Sequence, residues 1–103
     1  MANPMRIKVV RDGARVTLKV LMAHDMETGL RKDAEGQLIP AWFIQQVDVW
    51  LGQDRVLSAD WGPAISKNPF LQVELRDALP GEHVRVEWRD NHGDAREDSA
   101  SVP

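Results

Sequence analysis

Arg15-Val16-Thr17-Leu18-Lys19-Val20-Leu21-Met22-Ala23 is the stretch on which the fold turns. Val16, Leu18, Val20 and Met22 recur at every second position, with Thr17, Lys19 and Leu21 between them. That period places all four on one face of a strand, whereas a helix would scatter them around its circumference. On the N-terminal side, Met5, Ile7 and Val9 alternate with Arg6 and Lys8, which reads as a second half-buried strand. Arg11-Asp12-Gly13 supplies the turn between the two, with Gly13 free to take a positive φ. On the C-terminal side the alternation stops. Leu21 to Pro40 is the longest interval without a two-residue period. It carries Met26, Leu30, Leu38 and Ile39 to tie it down, so it reads as an ordered, functional loop.

Beyond Pro40 the alternation resumes. Trp42 to Leu51 reads as a strand with Val47, Val49 and Leu51 inward and Gln46, Asp48 and Trp50 on the opposite face. Trp50 is therefore expected to be exposed unless something covers it. Gly52-Gln53-Asp54 turns the chain into a strand over 55–60. Trp61-Gly62-Pro63 breaks the pattern, and Pro63 and Pro69 bracket a short crossover. Phe70 to Arg76 is the next strand, with Leu71, Val73 and Leu75 on one face. After the Leu79-Pro80-Gly81-Glu82 turn, Val84, Val86 and Trp88 alternate with His83, Arg85, Glu87 and Arg89. Asp90-Asn91-His92-Gly93 is a hairpin connection. Ala95 to Val102 is a polar last strand whose Arg96, Glu97 and Asp98 suit an edge. No proline falls inside a strand, as the missing N–H requires.

About seven short strands, with turn signals roughly every ten residues and no helical period, describe an all-β chain. The pattern fits an immunoglobulin-like or fibronectin-type antiparallel β-sandwich, with an open barrel as the alternative. Strands one, two and five are expected in one sheet, and three, four, six and seven in the other. The 103 residues form a single domain, 1–103, large enough for a core without staples.

Composition narrows the chemistry. There is no cysteine, so disulfides, thiolate metal sites and thiol nucleophiles are excluded. A net charge of −3 with mixed signs argues against nucleic acid as a partner. Arg6, Lys8, Arg11, Arg15 and Lys19 make the N-terminal third mildly basic, which reads as a solvated strand face more readily than as an anion site. No apolar run is long enough for membrane insertion, and the N-terminus does not read as a signal peptide. The three histidines, His24, His83 and His92, are too far apart in sequence to form a local metal pair. Asp33-x-Glu35-Gly36 lacks the further carboxylates of a calcium loop. No serine sits on a glycine-flanked elbow. No catalytic, metal or cofactor site is therefore assigned. A metal-dependent hydrolase built on His24, Asp25 and Glu27 is one alternative, and an adhesion-type module of a larger surface protein another.

The sequence also resembles a known family. His24-Asp25-Met26-Glu27-Thr28-Gly29 is similar to the His-Pro-Met-Glu-Thr-Gly segment of SoxZ, the small subunit of the SoxYZ sulfur carrier of thiosulfate oxidation, and 31–40 continues it. Ala64-Ile65-Ser66-Lys67-Asn68-Pro69-Phe70 resembles the family's Ala-Ile-Ser-Ala-Asn-Pro-Tyr. Trp88-Arg89-Asp90-Asn91-His92-Gly93 resembles its Trp-x-Asp-x-x-Gly hairpin. The departures are Asp25 for proline, Lys67 for alanine and Phe70 for tyrosine. The resemblance implies an immunoglobulin-like sandwich, no enzymatic activity and no cofactor. It also implies pairing with a SoxY-like subunit, whose C-terminal arm cysteine carries the sulfur intermediates, and transient contacts with Sox enzymes. It implies a periplasmic location, reached by export with a signal-bearing partner.

Loops on a rigid sandwich are where recognition concentrates. His24, Met26, Glu27 and Gly29 of the long loop, Asn68 and Phe70 of the crossover, and the tryptophan of the third strand, Trp50, are the expected partner-binding residues. Met26 is a flexible contact residue suited to such a surface. The plainer expectation is that the loop only closes the core, with Met26 buried. A His24→Ala/Glu27→Ala double variant is expected to leave the fold intact and weaken pairing.

Overall fold

A computed structural model describes residues 2–103. Seven strands follow in order: β1 (Arg6–Asp12), β2 (Arg15–Leu21), β3 (Ile44–Leu51), β4 (Asp54–Asp60), β5 (Phe70–Leu75), β6 (His83–Asp90) and β7 (Ala95–Ser101). They form two antiparallel sheets, β1-β2-β5 and β4-β3-β6-β7, the partition expected from the sequence. The architecture is an immunoglobulin-like β-sandwich.

The core lies where alternation is strictest. Val16, Leu18 and Val20 of β2 face Val47 and Val49 of β3 and Val84, Val86 and Trp88 of β6, all at 0–1% exposure. Burying one such aliphatic or aromatic side chain contributes about 1.5–3 kcal/mol, so the central strands hold the two sheets together. On one side the sandwich is closed by β1 and β7. The Met5 N–H donates to Asp98 Oδ2 at 2.9 Å, and Arg11 donates to the carbonyls of Pro103 and Ala78, both at 2.9 Å. Arg96 and Asp98 pair with each other and lie half-buried on the inner side of the β7 edge, so only Glu97 of that charged trio points outward.

Several boundaries and faces differ from the sequence reading. The first turn is the two-residue Gly13-Ala14 link, because β1 and β2 stay paired out to Asp12 and Arg15. Gly13 takes φ 62 at its first position, where a two-residue hairpin favours glycine. The third strand starts at Ile44, not Trp42. Trp42 is drawn out of the ladder into an isolated bridge with Glu27 of the long loop. Asp48, expected on an outward face, is 3% exposed, and its Oδ1 makes no hydrogen bond. It lies opposite Glu87 and Ser58 and between Gln46 and Trp50, flanking side chains larger than an aspartate on all sides but one. Trp50 is half-buried because the Arg85 guanidinium covers its ring at 4.1 Å. The long loop is not irregular throughout. Lys32 and Leu38 pair as a bridge, forming a small hairpin exposed from Leu30 to Leu38.

Candidate functional site

The long loop leaves β2 at Leu21 and turns inward at once. His24 is 5% exposed and its ring is enclosed by Trp42, at 4.9 Å between centroids, and by Trp88, edge-on at 5.1 Å. Its Nε2 lies 3.0 Å from Asp90 Oδ2, and its Nδ1 accepts the Met26 backbone N–H at 3.1 Å. An Nδ1 that accepts cannot carry a hydrogen. The proton therefore sits on Nε2 and is donated to Asp90.

Asp90 is the hub of this end of the sandwich. Oδ2 also accepts the Trp42 indole N–H at 2.8 Å, and Oδ1 accepts the backbone N–H groups of His92 and Asp94, each at 2.9 Å. Burial pushes its pKa up, but the hydrogen bonds from His24, Trp42 and the two amides outweigh burial and hold it below the usual carboxylate value. His92 stacks flat on Trp42 from outside, 5.2 Å away with the planes 4° apart. Asn91 accepts the Phe43 N–H and donates to the Ala41 carbonyl, both at 2.8 Å. The β6–β7 turn thus clamps the segment that leads from the loop into β3.

Met26 explains the loop's shape. It has φ 54, a left-handed conformation that costs a methionine energy and persists only where its surroundings hold it. Here they do. Its N–H is bound by His24, its Sδ accepts the Ile44 N–H at 3.3 Å, and the next residue, Glu27, forms a two-way backbone bridge with Trp42. Gly29, at φ 85, lies against Ala41, and a Cβ there would sit 3.1 Å from the Ala41 Cβ. Asn68, at φ 52, clasps His24 from the crossover: its Oδ1 accepts the His24 N–H at 3.1 Å and its N–H donates to the His24 carbonyl at 2.8 Å.

The expected site residues therefore divide. His24 and Met26 point inward, so neither presents a contact surface, and the plainer expectation of a buried Met26 is the one realised. Glu27 is partly covered and paired with Arg31, whose guanidinium holds the Glu27 carboxyl below its usual value. Phe70 is 59% exposed. Trp50 lies on the outer face of the other sheet, away from the loop end. The loop and the crossover do converge. Asp25, Glu27, Thr28 and Arg31 form one wall of a cleft of about 570 Å³, and Pro63 to Lys67 form the other. Two of the departures noted in the sequence face each other across it, with Lys67 Nζ 3.9 Å from Asp25 Oδ1.

His24, Asp25 and Glu27 do not converge. The first binds Asp90, the second faces Lys67 and the third binds Arg31. No group of three or more His, Asp or Glu side chains is arranged to hold a metal ion among the described residues. Asp33 accepts the N–H groups of Glu35 and Gln37, each at 3.0 Å, and so caps its own hairpin tip. Sequence reasoning did not single out Asp90 as a hub or Arg31 as a surface cation. The Trp88-x-Asp90 pattern was the available signal for the first. Nothing in sequence spacing pointed to the second.

Comparison with known proteins identifies a family and a shared fold. A family model described as "Sulphur oxidation protein SoxZ" matches residues 5–101. No curated protein matches. Among solved structures, a hypothetical protein from Pyrococcus horikoshii OT3 is similar at a TM-score of 0.64 and 12% identity, covering 99% of this chain and 89% of its own. A superoxide reductase in the oxidised state is similar at a TM-score of 0.62 and 14% identity, covering 96% and 86%. At such identities these two likenesses speak to the fold alone.

Proposed function

Because the chain belongs to the SoxZ family, we propose that it is the non-catalytic subunit of a SoxYZ-type sulfur carrier, pairing with a SoxY-like protein. The observation that carries this reading is the family match over 5–101. The absence of cysteine supports it. With no thiol, this chain cannot hold a sulfur intermediate as a persulfide or thiosulfonate; the family resemblance implies that the carrying cysteine lies on the partner's C-terminal arm. The role left to this chain is to stabilise that partner and present its arm to the Sox enzymes in turn. In this reading the pair works in the periplasm, and the SoxY-like partner brings the export signal.

Glu27, Arg31, Lys67 and Phe70, at the loop end, are the residues we place against the partner, with Trp50 as a separate aromatic contact on the other sheet. His24, Met26 and Gly29 set the loop's shape from behind this surface, and Asn68, itself exposed, fastens the crossover to His24. The test is mass spectrometry of both chains after incubation with thiosulfate and the enzyme that loads it. The sulfur adduct is expected on the partner only. An adduct on this chain, or no association of the two chains on co-purification, overturns the reading.

A further inference from the structure

The outer face of the β1-β2-β5 sheet carries a corner that the fold does not explain. Val16, Leu18 and Val20 face the core, so Lys19 and Leu21 face outward. Directly opposed residues share a face. The register therefore sets out two rows across the sheet: Arg6, Leu21 and Phe70 in one, and Lys8, Lys19 and Gln72 in the next. Leu21 is 39% and Phe70 59% exposed. Among the described residues Arg6, Lys8 and Lys19 enter no ion pair. The other two cations of the basic N-terminal third are accounted for. Arg15 lies 3.7 Å from Glu74, and Arg11 binds the carbonyls of Ala78 and Pro103.

Two features of this corner are unfavourable in isolation. Lys8 stands directly opposite Lys19, and like charges in that relation repel. Leu21 and Phe70, also direct cross-strand partners, leave two large apolar side chains side by side in water. Both costs disappear against a surface that brings carboxylates to the lysines and an apolar side chain to Leu21 and Phe70. The corner is also continuous with the loop-end cleft through the consecutive residues Lys67-Asn68-Pro69-Phe70.

We infer that this corner is part of the face on which the partner subunit docks, and that the partner's contacting surface is acidic around an apolar anchor. The inference rests on the pairing reading above and adds to it the chemistry of the partner's surface. Attraction of this kind acts mainly on association and weakens with salt, while a desolvated apolar anchor acts mainly on dissociation.

The experiment measures pairing of the full chain with the SoxY-like protein of the same organism, by calorimetry or surface binding, between about 0.05 and about 1 M salt, a range over which the Debye length shortens several-fold. Wild type is expected to lose affinity steadily as salt rises. Lys8→Glu/Lys19→Glu is expected to weaken pairing about tenfold or more at low salt and little at high salt, because it sets like charges across the interface. Phe70→Ser is expected to weaken pairing at both, chiefly through faster dissociation. All three positions face outward, so melting temperatures should stay near that of wild type. If wild type pairs and both variants pair as wild type does, the inference fails and the pairing reading stands. If wild type does not pair at any salt, the reading itself fails.

Discussion

His24 and Asp90 stand 66 residues apart in the chain and 3.0 Å apart in the interior. One belongs to the long loop after β2, the other ends β6. Their contact ties the loop to the four-stranded sheet, with Trp42 donating to the same carboxylate oxygen. A carboxylate that accepts four hydrogen bonds is a strong positioning element, and the surface at the loop end depends on it.

Removing that carboxylate should therefore unseat the loop. Asp90→Ala is expected to cost about 3 kcal/mol or more, because it strands the buried donors of His24 and Trp42, each a loss of about 1–3 kcal/mol. Trp42→Phe, which removes one charge-assisted hydrogen bond, should cost about 1.5–3 kcal/mol. Chemical denaturation of both variants checks the order. Equal and negligible losses would mean that the network does not hold the loop.

Acid should loosen both the Asp90 network and the β7 edge. Asp90 is held below its unfolded value of 3.8 by hydrogen bonds that outweigh its burial, and Asp98 is held below the same value chiefly by the Arg96 guanidinium. A depressed carboxylate adds stability that is fully present above its unfolded pKa and is lost as pH falls through the folded one. Urea melts from neutral pH downward should show stability falling below that unfolded value. Asp98→Asn should flatten part of this acid limb. An unchanged acid limb in that variant would count against the assignment.

Trp88 fills the core between the sheets at 1% exposure, although its indole N–H has no hydrogen-bond partner. Trp88→Ala is expected to destabilise by about 3–5 kcal/mol. A melting temperature equal to that of wild type would contradict the packing described for β6.

Gly29 combines a positive φ with a close approach to Ala41. Gly29→Ala should destabilise by more than about 1 kcal/mol, since alanine is strained in that conformation as well as crowded. Gly36, also at positive φ but with nothing within 4 Å of a Cβ, offers the comparison. Gly36→Ala should pay for the backbone alone and lose less.

The burial of His24 changes how the loop must be tested. The double variant suggested by the sequence, His24→Ala/Glu27→Ala, would open the core and so confuse folding with pairing. Glu27→Ala/Arg31→Ala removes only a solvent-screened pair, which contributes little to stability. It should melt close to wild type and pair more weakly with the SoxY-like partner. Unchanged pairing would move the interface off the loop.

By itself the sequence determined the class of fold and the faces of most strands. Burial alternates with period two, and the valines of β2, β3 and β6 record it directly. The partition into two sheets was also legible, from the turn signals and the order of strands. Tertiary structure alone decided which loop residues are surface and which are core. His24, Met26 and Glu27 are near neighbours in sequence and look equally available there. Their fates diverge because Asp90, from the end of β6, and Trp42, from the segment that leads into β3, capture His24 and force Met26 into a left-handed turn. The burial of Asp48 and the shielding of Trp50 by Arg85 are likewise cross-strand effects. So is the assembly of Arg6, Lys8 and Lys19 into one unpaired basic corner, since strand register, which the periodicity of a single strand does not contain, sets which side chains meet.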